Sequence, residues 1–135
     1  MSGNGVDKEG SLGGANRARR AGRRRRMRVM VTHSLVSYRE VISVALEDLR
    51  PHVEIFTVEP ENLDREFMNL SPQLVLCSQV TEIVERGALG WIELYPEQAS
   101  ESLVSVCGEM TIYPDMDLDS ILSVLDETRR LYEIA

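Results

Sequence analysis

The side chains of this 135-residue chain that could do chemistry fall at the ends of two short apolar runs. Thr32 closes the run Arg28–Thr32 and His33-Ser34 follow it, and Ser78-Gln79 with Thr81 follow Leu74–Cys77. If both runs are strands of one parallel sheet, Thr32, His33, Ser34, Ser78, Gln79 and Thr81 border the crevice beyond the strands' carboxyl ends. Open α/β sheets bind ligands there. Helix N-termini add free amides to the same place, so a small ligand or anion is one candidate occupant. The structural alternative is that Ser34 and Ser37 cap a helix while Ser78 and Thr81 cap or turn a loop. No glycine-rich phosphate loop accompanies these residues. His33 with Ser78 suggests the base and nucleophile of a small hydrolase. Yet the chain has no G-x-S-x-G elbow and no acid in the expected crevice to orient the imidazole, so no catalytic residue is assigned.

Other reactive types read as structural. Cys77 and Cys107 both fall within apolar runs and suggest inert, reduced thiols in strands, with no disulfide framework or metal knuckle. Asp115, Asp117 and Asp119 lack the glycine and distal glutamate of a calcium loop, so Asp117 is expected to cap a helix. Glu93 and Glu97 flank Leu94-Tyr95-Pro96 as a second acidic pair. No metal and no cofactor are assigned. His52, in a loop after Pro51, is expected to be solvated.

The elements that must position these groups follow from periodicity. Val29–Thr32, Val53–Val58 and Leu74–Cys77 are short apolar runs suited to buried parallel strands. Between them, Ser37-x-x-Glu40 reads as a capping box opening a helix whose stripe is Tyr38, Val41, Ile42, Ala45 and Leu49, stopped by Pro51. Pro60 opens a second helix with Leu63, Phe67 and Leu70 inside. This β-α-β-α-β order implies right-handed crossovers with helices on the sheet. The second half is less regular. Val80–Arg86 is a short helix ended by Gly87. Trp91–Tyr95 and Ser102–Cys107 are joined by too few residues for a crossover helix, which predicts an antiparallel hairpin. Trp91 and Tyr95 then share a strand face by the period of two. Met110–Tyr113 follows as an edge strand after a turn at Gly108-Glu109, and a last helix carries Leu118, Ile121, Leu122, Leu125 and Tyr132. The expected fold is a three-layer α/β domain with a mainly parallel sheet, an antiparallel edge hairpin and a C-terminal helix.

Charge divides the chain in two. Residues 1–26 hold Lys8 and seven arginines against two acids, a balance of +6, whereas residues 27–135 hold seven arginines against 20 acids, a balance of −13. An acidic body repels a phosphate backbone, so nucleic acid is expected only through Arg17–Arg26. Residues 1–26 are expected to be a disordered tail, with Met27 as an alternative start, and 27–135 the folded domain. No run approaches the roughly 20 apolar residues of a membrane span, and no secretory signal is present, so a cytoplasmic protein without membrane association is expected.

Val29-Met30-Val31-Thr32-His33-Ser34-Leu35-Val36-x-x-Arg39-Glu40 and Ser71-Pro72-Gln73-Leu74-Val75-Leu76-Cys77-Ser78 resemble the first and third strands, with their flanks, of the CheY-like receiver domain of bacterial response regulators. The likeness covers about residues 27–80 and implies a flavodoxin-like fold. In that family an acidic pair after the first strand holds Mg²⁺, an aspartate after the third accepts the phosphoryl group, and a lysine after the fifth reads its charge. Here Thr32 and His33 stand at the acidic pair, Ser78 stands at the phosphoacceptor position, and no lysine occurs after Lys8. Neutral hydroxyls and an imidazole do not make a hard oxygen site for magnesium. The run W-I-E-L-Y-P followed by S-V-C-G departs from a receiver, having no room for its fourth helix, and is similar to a group of uncharacterised bacterial receiver-like proteins. The resemblance implies a non-enzymatic pseudo-receiver that cannot be phosphorylated and acts through a protein partner or a second copy of itself. The alternatives are a small-ligand or anion sensor using the crevice and a small hydrolase.

Overall fold

A computed structural model describes residues 26–96 and 99–134; the arginine-rich tail before Arg26, Glu97 and the link through Gln98 lie outside the described residues. One six-stranded sheet runs in the order β2-β1-β3-β4-β5-β6. Its strands are β1 Arg28–Val31, β2 Glu54–Thr57, β3 Leu74–Cys77, β4 Gly90–Glu93, β5 Ser102–Val106 and β6 Glu109–Tyr113. The first four are mutually parallel, and β5 and β6 are antiparallel additions. Both β1 and β3 lie inside the sheet and are covered on both faces. This is why their sequences are unbroken apolar runs instead of alternating ones.

The helices are α1 Val36–Leu49, α2 Leu63–Leu70 after a single 3₁₀ turn at Pro60–Asn62, α3 Glu82–Gly87 and α4 Leu118–Ile134. Alternation along each strand splits the core in two. Val29, Val31, Leu74, Leu76 and Ile92 meet Leu46 of α1 and Ile121, Leu122 and Leu125 of α4 on one face. Met30, Val75 and Trp91 meet Leu63 and Phe67 of α2 and Val84 of α3 on the other. Each fully buried side chain of this size stabilises by about 1.5–3 kcal/mol. The result is the expected three-layer α/β fold with a mainly parallel sheet, antiparallel edge strands and a C-terminal helix, an arrangement compatible with a flavodoxin-like fold. No described helix is long and apolar enough to cross a membrane.

Several local expectations are corrected. Helix α1 begins at Val36 with no side-chain cap, so neither the Ser37–Glu40 box nor Ser34 caps it. The amides just before it are held by one tertiary and one local contact instead: Ser34 N donates to Ser78 Oγ (3.0 Å) and Leu35 N to His33 Nδ1 (3.1 Å). The inward stripe of α1 is Ile42, Ser43, Ala45 and Leu46, whereas Tyr38, Val41 and Leu49 face out. Trp91 and Tyr95 do not share a face. Strand β4 ends at Glu93, and Tyr95 takes a left-handed φ of 45° that breaks the alternation. Trp91 packs with Phe67 beneath α2, while Tyr95 packs towards α4. Cys107 leaves β5 and sits exposed in a two-residue turn with Gly108, at φ 53° and 86°. Both positive values match the primed hairpin turn that right-twisted strands require. Strand β5 is paired on both sides, so β6 is the edge strand at this end of the sheet.

Candidate functional site

Strands β1, β3 and β4 end side by side beneath a crevice of about 770 Å³, and the period of two decides which side chains enter it. Thr32 extends β1 on the same side as Met30 and reaches the crevice. His33, one residue on, falls on the opposite face. The lining brings together Thr32, Ser34, Ser78, Gln79 and Thr81, five of the six residues expected from the sequence, with Pro60, Leu63, Val80 and Pro96 as apolar walls. Glu93 completes it and was missed. Its signal was legible, because Glu93 ends β4 as Cys77 ends β3, and the two are register partners.

Not all of these groups are free. Thr81 Oγ1 accepts from Val84 N (3.3 Å), capping α3, and donates to Asp64 Oδ1 of α2 (2.7 Å). Its role is the structural one. Ser78 Oγ accepts from Ser34 N, which leaves its own O–H to donate. Glu93 Oε2 accepts from Val80 N at 2.9 Å, pinning the loop after β3 to the end of β4. Thr32 is 1% exposed, and its Oγ1 has no hydrogen-bond partner among the described residues. A buried hydroxyl left unpaired costs about 1–3 kcal/mol. Among the described residues, the lining carries one carboxylate and no basic side chain.

His33 is buried against the other face, 5.1 Å from the ring of Tyr38, which in turn lies 6.1 Å from that of Tyr95. Its Nε2–H donates to Leu94 O at 2.8 Å and its Nδ1 accepts from Leu35 N. These partners fix the neutral Nε2–H tautomer, and neither nitrogen keeps a lone pair for Ser78. Burial, the largest cause, and the Arg39 cation hold its pKa below the usual 6.5, against the opposing pull of the Leu94 carbonyl. Cys77 donates its thiol towards Ile92 O (3.6 Å), and burial, reinforced by the Glu93 charge, pushes its pKa up to about 12. A thiol held there is neither nucleophile nor metal ligand at neutral pH. No cluster of three or more potential metal ligands exists among the described residues.

A second concavity of about 400 Å³ lies between α1 and the start of α4. It is lined by Tyr38, Val41, Ile42, Ala45, Leu94, Tyr95, Met116, Leu118 and Ile121, with Ser37 and Asp117 at its polar rim. Tyr95 donates its hydroxyl to Met116 O, and its backbone N–H donates to Ser102 Oγ, so the aromatic floor is held at both ends. Asp117 caps α4 as expected, accepting from Ser120 N at 2.9 Å and from Ser120 Oγ at 2.8 Å. Val36, Val41 and Val44 of α1 are at least half exposed beside this groove.

No family model, curated protein or solved structure matches this chain.

Proposed function

We propose that the chain is a non-enzymatic regulatory module, a pseudo-receiver that acts by binding another protein through the groove between α1 and α4. The observation that carries this reading is the apolar surface there. Tyr38 and Val41 of α1 and Leu118 of α4 are exposed and line a concavity whose remaining walls are apolar. Large apolar side chains gathered in one exposed patch mark interaction surfaces more often than solvated ones. The receiver part of the reading draws on the parallel β2-β1-β3-β4 order and the sequence likeness in residues 27–80. Its loss of phosphorylation draws on Thr32, His33 and Ser78 at the three strand-end positions where that family carries carboxylates.

The test has two arms on the full chain. With acetyl phosphate and Mg²⁺, no phosphoryl group should be incorporated, and a stable stoichiometric acyl phosphate would overturn the reading. In the second arm, Val41→Asp should abolish cross-links that map to α1 and α4 while leaving the circular dichroism spectrum unchanged. Val41 is 67% exposed, so the variant removes surface, not core. Cross-links unaffected by Val41→Asp would move the contact elsewhere and sink the groove.

A further inference from the structure

From the inventory of acceptors in the strand-end crevice, we propose that it binds a small organic ammonium, a primary amine with a short aliphatic body. This proposal stands apart from the groove and neither needs nor supports the partner-binding reading. Three observations converge on it. Thr32 lines the crevice, and its buried Oγ1 has no partner among the described residues, which is the condition of a group that meets its partner in a ligand. Glu93 is the one charged side chain of the lining, and only its Oε2 has a hydrogen bond among the described residues, from Val80 N. Ser78 Oγ, at the end of the strand between them, adds a hydroxyl.

The sign of the site follows from this set. β1 and β4 flank β3, so the backbones carrying Thr32 and Glu93 are roughly 10 Å apart, two strand spacings. A carboxylate on one side and a hydroxyl on the other, with no cation among the described lining residues, suit a group that donates several hydrogen bonds and carries positive charge. An ammonium does both and makes the stronger, charge-assisted kind. A phosphate or carboxylate ligand would face Glu93 with nothing to neutralise either charge. This reverses the anion expected from helix N-termini alone. Pro60, Leu63, Val80 and Pro96 offer apolar walls to an alkyl body, and 770 Å³ is within the range of small-molecule sites.

The experiment is a thermal-shift and calorimetric titration of the full chain with n-butylamine and 1,4-diaminobutane, set against inorganic phosphate and acetate. The amines should raise the midpoint and the anions should not. Glu93→Gln removes the charge while its amide oxygen can still accept from Val80 N, and it should abolish amine binding in a protein of unchanged fold. Thr32→Val, which deletes only the orphan hydroxyl, should weaken the amine at least about tenfold, the loss of one hydrogen bond to a charged group. The same variant should match or exceed the stability of the parent protein, because it removes an unpaired buried group. Stabilisation by phosphate in place of amine overturns the proposal. So does a flat panel, whatever the stability of Thr32→Val, because the unpaired hydroxyl would then have no amine partner. Amine binding untouched by Glu93→Gln overturns it as well.

Discussion

At the scale of single residues, His33 does something other than what its neighbours suggested. Beside a serine it invited a base–nucleophile pair, but strand alternation turns it away from Ser78 and into a closed network between Leu94 O and Leu35 N. That network requires the neutral ring, because a proton on Nδ1 would confront the Leu35 N–H. The folded pKa therefore lies below the unfolded value near 6.5, and the unfolded chain binds more protons in the interval between them. Stability contributed by His33 is fully present above about pH 6.5 and is lost as pH falls from there through the folded pKa. The melting midpoint should drop as pH falls below about 6.5, and His33→Gln should flatten that part of the profile. Asp117 and Asp126, whose pKa values are lowered by hydrogen bonds from Ser120 and Arg50 respectively, act only lower, as pH falls below about 3.8. Their limb should survive the substitution. An identical slope in His33→Gln would mean that the imidazole is not the titrating group. The direction in which His33 points was legible in the sequence, since adjacent residues of a strand face oppositely. Its hydrogen-bond partners were not, because Leu94 is 61 positions away.

At the scale of elements, the sequence was most informative where local pattern and tertiary role agree. Val29–Val31 of β1 and Leu74–Cys77 of β3 are unbroken apolar runs because they are buried on both faces, and α3 is capped by Thr81 with Gly87 at its end. It misled where other groups take up the amides that a local motif would. Ser37-x-x-Glu40 has the capping pattern, yet the remote Ser78 Oγ and the neighbouring His33 Nδ1 receive the amides that lead into α1. Tyr38, Val41 and Leu49 of α1 fall on the expected stripe yet face out, because helical spacing identifies an apolar stripe and cannot say whether a neighbour closes over it. Gly90 marks a contact that spacing also could not reveal. A Cβ there would lie 2.8 Å from Thr128 Oγ1, so its small size lets α4 settle onto the sheet. The β5–β6 turn offers the sharpest element-scale test. Cys107 holds a φ of 53°, a conformation costing an ordinary L-residue roughly 1–2 kcal/mol, whereas asparagine before glycine adopts it readily. Cys107 is exposed and its side chain makes no described hydrogen bond, so Cys107→Asn should stabilise the protein by about 0.5–1 kcal/mol. Chemical denaturation would check this, and a destabilised variant would show that the thiol is held by contacts worth more than the turn.

At the scale of the whole molecule, the layers are unequal, and this inequality predicts how stability is distributed. α1 and α4 cover one face of the sheet, while α2 and α3 cover only part of the other. Leu103 of β5 still packs with the second core, but its register partner Ile112 and the adjacent Met110 of β6 are 61% and 54% exposed. β6 is also the sheet's outer edge, with one row of backbone groups unpaired among the described strands. The balance of −13 over residues 27–135 adds general self-repulsion and helps keep that edge from pairing with other copies. Local opening costs least where few apolar contacts are broken. Amides of Val29–Val31 and Leu74–Cys77, flanked by strands and helices on every side, should therefore exchange only with global unfolding, on the order of 5–15 kcal/mol for a domain of this size. The outward amides of Glu109–Tyr113 should exchange quickly, and the inward ones should open with β6 alone. Native-state hydrogen exchange followed residue by residue would test this order. Equal protection in β6 and β1 at low protein concentration would mean that another segment of the chain covers the edge. Protection that rises with concentration would instead identify β6 as the seam between two copies.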